Sequence, residues 1–305
     1  VYAKLEPAKP GAPRLPPREV KAPAIVAKTP QPKRDAPAVD RATQNASVDK
    51  TKACAAAFGE KLLADAIAAC TEAASMWEGN HQAWYVLGAA RAASGDWRDA
   101  VAAFGRAADL EPRDPTYQMW HGIALYEAGD RDDALATLLL AVELEPRLSR
   151  PHHYLGRIYR DIDRWVDAAK AFETAIRADP RQPEPYVALA ELYRRWDETD
   201  AAIGVATAGT QNIAGAREGA LAWHVLGMAL FDKRVDDKAI EAFSAALTNR
   251  PDLHPSMFMR GQAYHRKGDS EKARRDLEAF VGSPLPDNLA RQQANRILLE
   301  ITGSP

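Results

Sequence analysis

The chain has 305 residues, 40 Lys/Arg against 42 Asp/Glu, a net charge of −2 and a pI near 6.4. That balance gives no global electrostatic claim on nucleic acid or acidic lipid. No run of about 18 apolar residues occurs, so no segment of this chain is expected to insert in a membrane. The length suits two ordinary domains or one elongated array. The first residue is Val1 rather than Met, which reads as loss of something upstream. A signal peptide, a membrane anchor and a neighbouring domain are the open alternatives.

Residues 1–46 differ in composition from the rest. They hold nine prolines and nine Lys/Arg against four Asp/Glu. Proline removes backbone donors and favours polyproline II, and the few apolar side chains cannot offset the entropy of ordering. The segment is expected to be an extended, basic tether, disordered on its own. Its readings are an inert linker, a peptide gripped by a partner, or a strand of chain that docks back on the body.

Residues 47–80 read as a degenerate helical hairpin with its turn near Glu60–Lys61. Cys54 and Cys70 are about equally far from that turn and should face each other. Two buried thiols that pack as small hydrophobes and a disulfide are both compatible with this. A disulfide would imply an oxidising compartment. Two cysteines without a CxxC do not make a zinc site.

Residues 81–114, 115–148 and 149–182 repeat at an interval of 34. The recurring features are Trp84, Leu87-Gly88, Ala100, Phe104, Ala107 and Pro112. Gly122, Leu125, Ala134, Leu138, Ala141 and Pro146 follow, then Tyr154, Leu155-Gly156, Tyr159, Ala168, Phe172, Ala175 and Pro180. Gly95-Asp96, Gly129-Asp130 and Asp163-Arg164 supply the turns, where a left-handed residue is needed. Residues 183–219 begin in pattern with Tyr186, Leu189, Ala190 and Tyr193. They then degrade, with Ala206 and Gly209 in place of larger residues and no closing proline, making this the weakest joint of the array. Residues 220–253 recover the pattern with Trp223, Leu226-Gly227, Ala239, Phe243, Ala246 and Pro251. Residues 254–286 follow with Met257, Gly261, Tyr264, Ala273, Leu277 and Phe280. Residues 287–301 form a terminal helix capped by Asp287, with Leu289, Ala290, Ala294, Ile297, Leu298 and Ile301 on one face.

Self-similarity at this period marks units that bury their apolar faces only against their neighbours. The quoted residues resemble the tetratricopeptide repeat family over residues 47–301. The resemblance implies an all-α, right-handed superhelical solenoid of about seven helix-turn-helix repeats with a C-terminal capping helix.

Chemistry is sparse. The seven histidines show no HExxH or comparable metal spacing. No GxxxxGK[ST], no GxSxG and no strand preceding a Gly-rich loop is present. No catalytic residue, metal or cofactor is expected, and the chain is read as a non-enzyme.

In the resembling family the first helix of each unit lines the inner wall, so residues one or two turns apart along it form a free stripe. The candidate groove residues are Tyr85, Met119, Ile123, Tyr126, His153, Arg157, Arg160, Arg194, Arg195, His224, Met228, Phe231, Phe258 and His265. Arg150 lies on the same stripe. Arginines there suit acidic side chains or a terminal carboxylate, although Asp161, Glu184 and Glu191 are placed to neutralise them. The groove slots that hold Lys and Asn in members gripping chaperone tails hold His153 and Arg157 here. The expected function is a non-catalytic scaffold or adaptor that holds a protein or peptide segment, acidic or extended in character. One alternative is a structural or assembly component of a bacterial cell-envelope or secretion complex, with the tether crossing the periplasm. Another is the regulatory arm of a larger enzyme whose catalytic domain lies upstream. The bacterial periplasm or envelope is the favoured compartment, with the cytoplasm as the alternative.

Overall fold

A computed structural model describes residues 39–213, 215–284 and 289–303. The expected tether therefore lies outside the described residues up to position 38, as does the expected cap Asp287. Among the described residues there are fifteen α-helices and no strand. They divide after Ala171 into two compact units.

The N-terminal unit holds α1 (Arg41–Gly59), α2 (Leu63–Met76), α3 (His81–Ala93), α4 (Trp97–Leu110), α5 (Pro115–Ala128), α6 (Arg131–Leu144) and α7 (Ser149–Asp161). The start of α8 (Trp165–Ala178) also belongs to it. Helix α1 begins six residues before the expected end of the tether. The reason is Asp40, whose carboxylate accepts from the amides of Ala42 (2.8 Å) and Thr43 (2.9 Å) and so caps the first turn. Asn80 and Asp114 cap α3 and α5 in the same way.

Helix pairs meet through small residues. Ala66, Ala73, Ala83, Ala90, Ala100, Ala107, Ala134 and Ala141 are fully buried, and Phe104 and Leu138 lie among them without solvent exposure. A Cβ added at Gly88 would sit 2.7 Å from the Phe104 ring, so only glycine admits that ring. A buried side chain of this size contributes about 1.5–3 kcal/mol. Cys54 and Cys70, both fully buried, are bonded to one another with their Cα atoms 5.3 Å apart. A polar cluster anchors α1 to its neighbours. Asn80 Nδ2 donates to Ser47 Oγ (2.8 Å) and Thr51 Oγ1 (2.9 Å), and Ser47 donates to the Ala73 carbonyl (2.7 Å).

The C-terminal unit starts within α8 and holds α9 (Pro183–Arg195), α10 (Thr199–Asn212), α11 (Ala216–Asp232), α12 (Asp236–Asn249), α13 (His254–Arg266), α14 (Ser270–Val281) and α15 (Leu289–Thr302). Phe243 and Leu277 take the buried place that Phe104 takes earlier. In the irregular repeat the missing phenyl ring leaves Ala206 buried, and Tyr186 closes over Gly209, with its hydroxyl accepting from Asn212 Nδ2 at 3.1 Å. Helix α15 places Ala290, Ile297, Leu298 and Ile301 against Phe258, Leu277 and Phe280.

Every hairpin turn contains one residue with positive φ: Lys61, Gly95, Gly129, Asp163, Asp197, Arg234 and Gly268. Each is the fifteenth residue of its repeat. Proline follows two residues after the ends of α4, α6, α8 and α12, at Pro112, Pro146, Pro180 and Pro251, where it stops the helix.

Candidate functional site

In the N-terminal unit the expected groove residues come from α3, α5 and α7. Tyr85 is half-buried, its ring 5.9 Å from Phe104 and 5.3 Å from Tyr117. Met119 and Ile123 are not on a free wall. They are 8% and 1% exposed and belong to the core with Leu125, Leu138 and Leu155. Helix α5 is apolar on several sides, so its neighbours cover part of the stripe that simple helical spacing marks as open.

Two arginines of α7, Arg157 and Arg160, are compensated by acids from the previous repeat and from α7 itself. Arg157 Nη1 donates to Glu127 Oε1 at 2.8 Å, and its guanidinium lies 4.5 Å from the Tyr126 ring and 4.7 Å from Tyr154. Arg160 donates to Asp161 at 3.1 Å. Asp161 also accepts from the Tyr126 hydroxyl (2.7 Å) and faces Arg131 at 3.7 Å. Burial works against the charge on Asp161. The Tyr126 and Arg160 hydrogen bonds, with the Arg160 and Arg131 charges, nevertheless hold its pKa below the ordinary value. His153 lies against Tyr154, edge to face. Burial, with the charges of Arg157, Arg160 and Arg150, pushes its pKa down to about 4, so it is neutral near pH 7.

Arg150 differs from these. It is exposed, its guanidinium lies 5.0 Å from the Trp120 ring, and among the described residues it has no carboxylate partner. Trp120 in turn stacks on Phe104, with centroids 6.0 Å apart and planes within 18°. The charge of Arg150 also acts on the hydroxyl of Tyr85, which burial pushes up in pKa. Tyr85, Trp120 and Arg150 thus form an aromatic platform with one uncompensated cation. Trp120 escaped the sequence reading because it lies two residues past the recurring Trp position. Arg150 lies on the expected stripe, but nothing local in the sequence marks it as the unpaired arginine of α7.

In the C-terminal unit Arg194 is likewise compensated, donating to Asp232 Oδ2 at 2.7 Å and approaching Met228 Sδ at 3.6 Å. Arg195 is exposed and makes no ion pair among the described residues. Phe231 lies under the Arg266 guanidinium at 3.6 Å, and Arg266 is paired with Asp236. Arg194, Phe231, Asp232, Arg234 and Arg266 line an open polar cleft of about 450 Å³. His224 is half-buried with Nδ1 2.8 Å from Ser256 Oγ. Burial and then the Arg194 charge push its pKa down to about 4. His265 meets Glu300 at 3.4 Å. Phe258 is 8% exposed and packs on Phe280 at 5.0 Å, so it belongs to the core and not to a groove. Among the described residues no group of three His, Cys, Asp or Glu side chains is gathered to hold a metal ion. No helix there is long and apolar enough to cross a membrane.

Three family models described as tetratricopeptide repeat match the chain, over residues 85–148, 152–184 and 254–283. No curated protein matches it. Among solved structures, a heterotetramer of the APC/C proteins Cut9 and Hcn1 is similar at a TM-score of 0.61 and 15% identity, over 76% of this chain and 44% of that one. A tetratricopeptide repeat protein from Parabacteroides merdae is similar at 0.60 and 12%, over 86% and 99%. Pseudomonas aeruginosa pilF is similar at 0.59 and 16%, over 74% and 100%. This chain thus spans under half of the Cut9–Hcn1 chain, and at these identities the likeness concerns the fold.

Proposed function

Since the chain belongs to the tetratricopeptide-repeat family, we propose that it is a protein-interaction scaffold that holds an extended partner segment against the wall formed by α3, α5 and α7. The partner carries an acidic group that meets Arg150. The observation behind this is the exposed Arg150 guanidinium on Trp120 without a carboxylate, beside arginines that are already matched. A guanidinium seated on an aromatic face keeps its outward N–H donors for a bidentate contact with a carboxylate. Residues 39–171 hold 20 Asp/Glu against 15 Lys/Arg, so the unit's net charge repels an acidic ligand and unspecific attraction does not account for its binding there.

The test is fluorescence anisotropy with a labelled twelve-residue Gly-Glu-Pro repeat and the same peptide with Gln for Glu. The native chain is expected to bind the acidic peptide more tightly, and Arg150→Glu to weaken that binding at least tenfold, about 1.4 kcal/mol. Equal binding by Arg150→Glu would place any affinity elsewhere on the chain and remove the proposal.

A second reading is an assembly component of a bacterial envelope complex. The bond between Cys54 and Cys70 supports it, because such bonds persist in oxidising compartments.

A further inference from the structure

Four of the regular hairpins are closed at one place by the eighth and twenty-fourth residues of their repeats. The pairs are Gly88 with Phe104, Gly122 with Leu138, Gly227 with Phe243 and Gly261 with Leu277. A Cβ on these glycines would meet the partner side chain at 2.7, 2.7, 2.6 and 2.8 Å. All four partner side chains are fully buried. Cys54 and Cys70 are the eighth and twenty-fourth residues of the first repeat, each 34 residues before Gly88 and Phe104.

We infer that the Cys54–Cys70 bond is a covalent substitute for the glycine–phenyl contact, which makes closure of the α1–α2 hairpin depend on oxidation. The remaining buried side chains of α2 are Ala66, Ala73 and Ala74, which give little dispersion energy to hold the pair together. Reduction by a dithiol delivers two electrons and two protons. The S–S bond breaks, two S–H bonds form, and the reductant closes to its own disulfide. What is left is two thiols where every regular repeat has a ring or an isobutyl group. The bond spans 16 residues, and releasing a loop of that length favours opening by about 100-fold. The consequence reaches α3, because Cys54, Ala66 and Cys70 share a core with Leu87 and Ala90. This inference stands apart from the proposal for Arg150, since no residue is shared between them.

Hydrogen–deuterium exchange of the full chain tests it, comparing oxidised protein with protein refolded in reductant and shown by mass to carry two thiols. Amides of α1 and α2 are expected to exchange about 100-fold faster after reduction, with α5 and α6 unchanged. A Cys54→Gly, Cys70→Phe double variant is expected to be protected equally with and without reductant. Unchanged protection of α1 and α2 in the reduced native chain would overturn the inference. So would two free thiols in chain isolated without reductant. A double variant as labile as the reduced native chain would show that the bond does not stand in for the ring, and would overturn it too.

Discussion

His153 and His224 occupy the fifth position of their repeats, and both are held neutral by burial with pKa values pushed down to about 4. An unfolded chain takes up a proton at each of them as the pH falls below the ordinary value of 6.5, whereas the folded chain waits until about 4. Their neutral state therefore leaves stability whole above pH 6.5 and erodes it between 6.5 and 4, by on the order of 3 kcal/mol per residue. Replacing His224 with Gln keeps a polar partner for Ser256 and removes the proton uptake. The drop in thermal midpoint between pH 7 and pH 4.5 is expected to shrink in His224→Gln. An identical drop in both proteins would show that this histidine titrates normally in the fold. Neither histidine offers a charged donor to a partner near pH 7, which weakens their place among the groove residues read from the sequence.

At the scale of the element, the repeat pattern legible in the chain carries over to the hairpins because it is written in short-range terms. Proline stops, small residues at crossings and a left-handed turn residue each act within a few positions. What escaped the reading acts between repeats. Arg157 finds Glu127 thirty residues earlier and Arg194 finds Asp232 thirty-eight later, and no local spacing announces such pairs. Met119, Ile123 and Phe258 were misplaced for the same reason, since their cover comes from neighbouring helices. The turns also carry a prediction. Arg234 adopts φ of 63°, where a side chain costs about 1–2 kcal/mol relative to glycine. Arg234→Gly is expected to raise the thermal midpoint by about 2 °C. A lowered midpoint would mean that the Arg234 side chain makes contacts worth more than the strain.

At the scale of the whole molecule, helical hairpins pack side by side within each of the two units, and several arginines expected in the groove are spent on acids of a neighbouring repeat, which leaves a restricted place for a partner in the N-terminal unit. That place is defined by the rings of Tyr85 and Trp120 and the Arg150 cation, and Trp120, one of seven tryptophans in the chain, gives it a direct reporter. Indole N–H signals of the native chain, with Trp120 assigned through Trp120→Phe, would be followed by NMR as the acidic Gly-Glu-Pro peptide is added. The Trp120 signal is expected to move with peptide concentration, and this movement to be lost in Arg150→Glu. A Trp120 signal that stays fixed while the peptide demonstrably binds would contradict the proposed site.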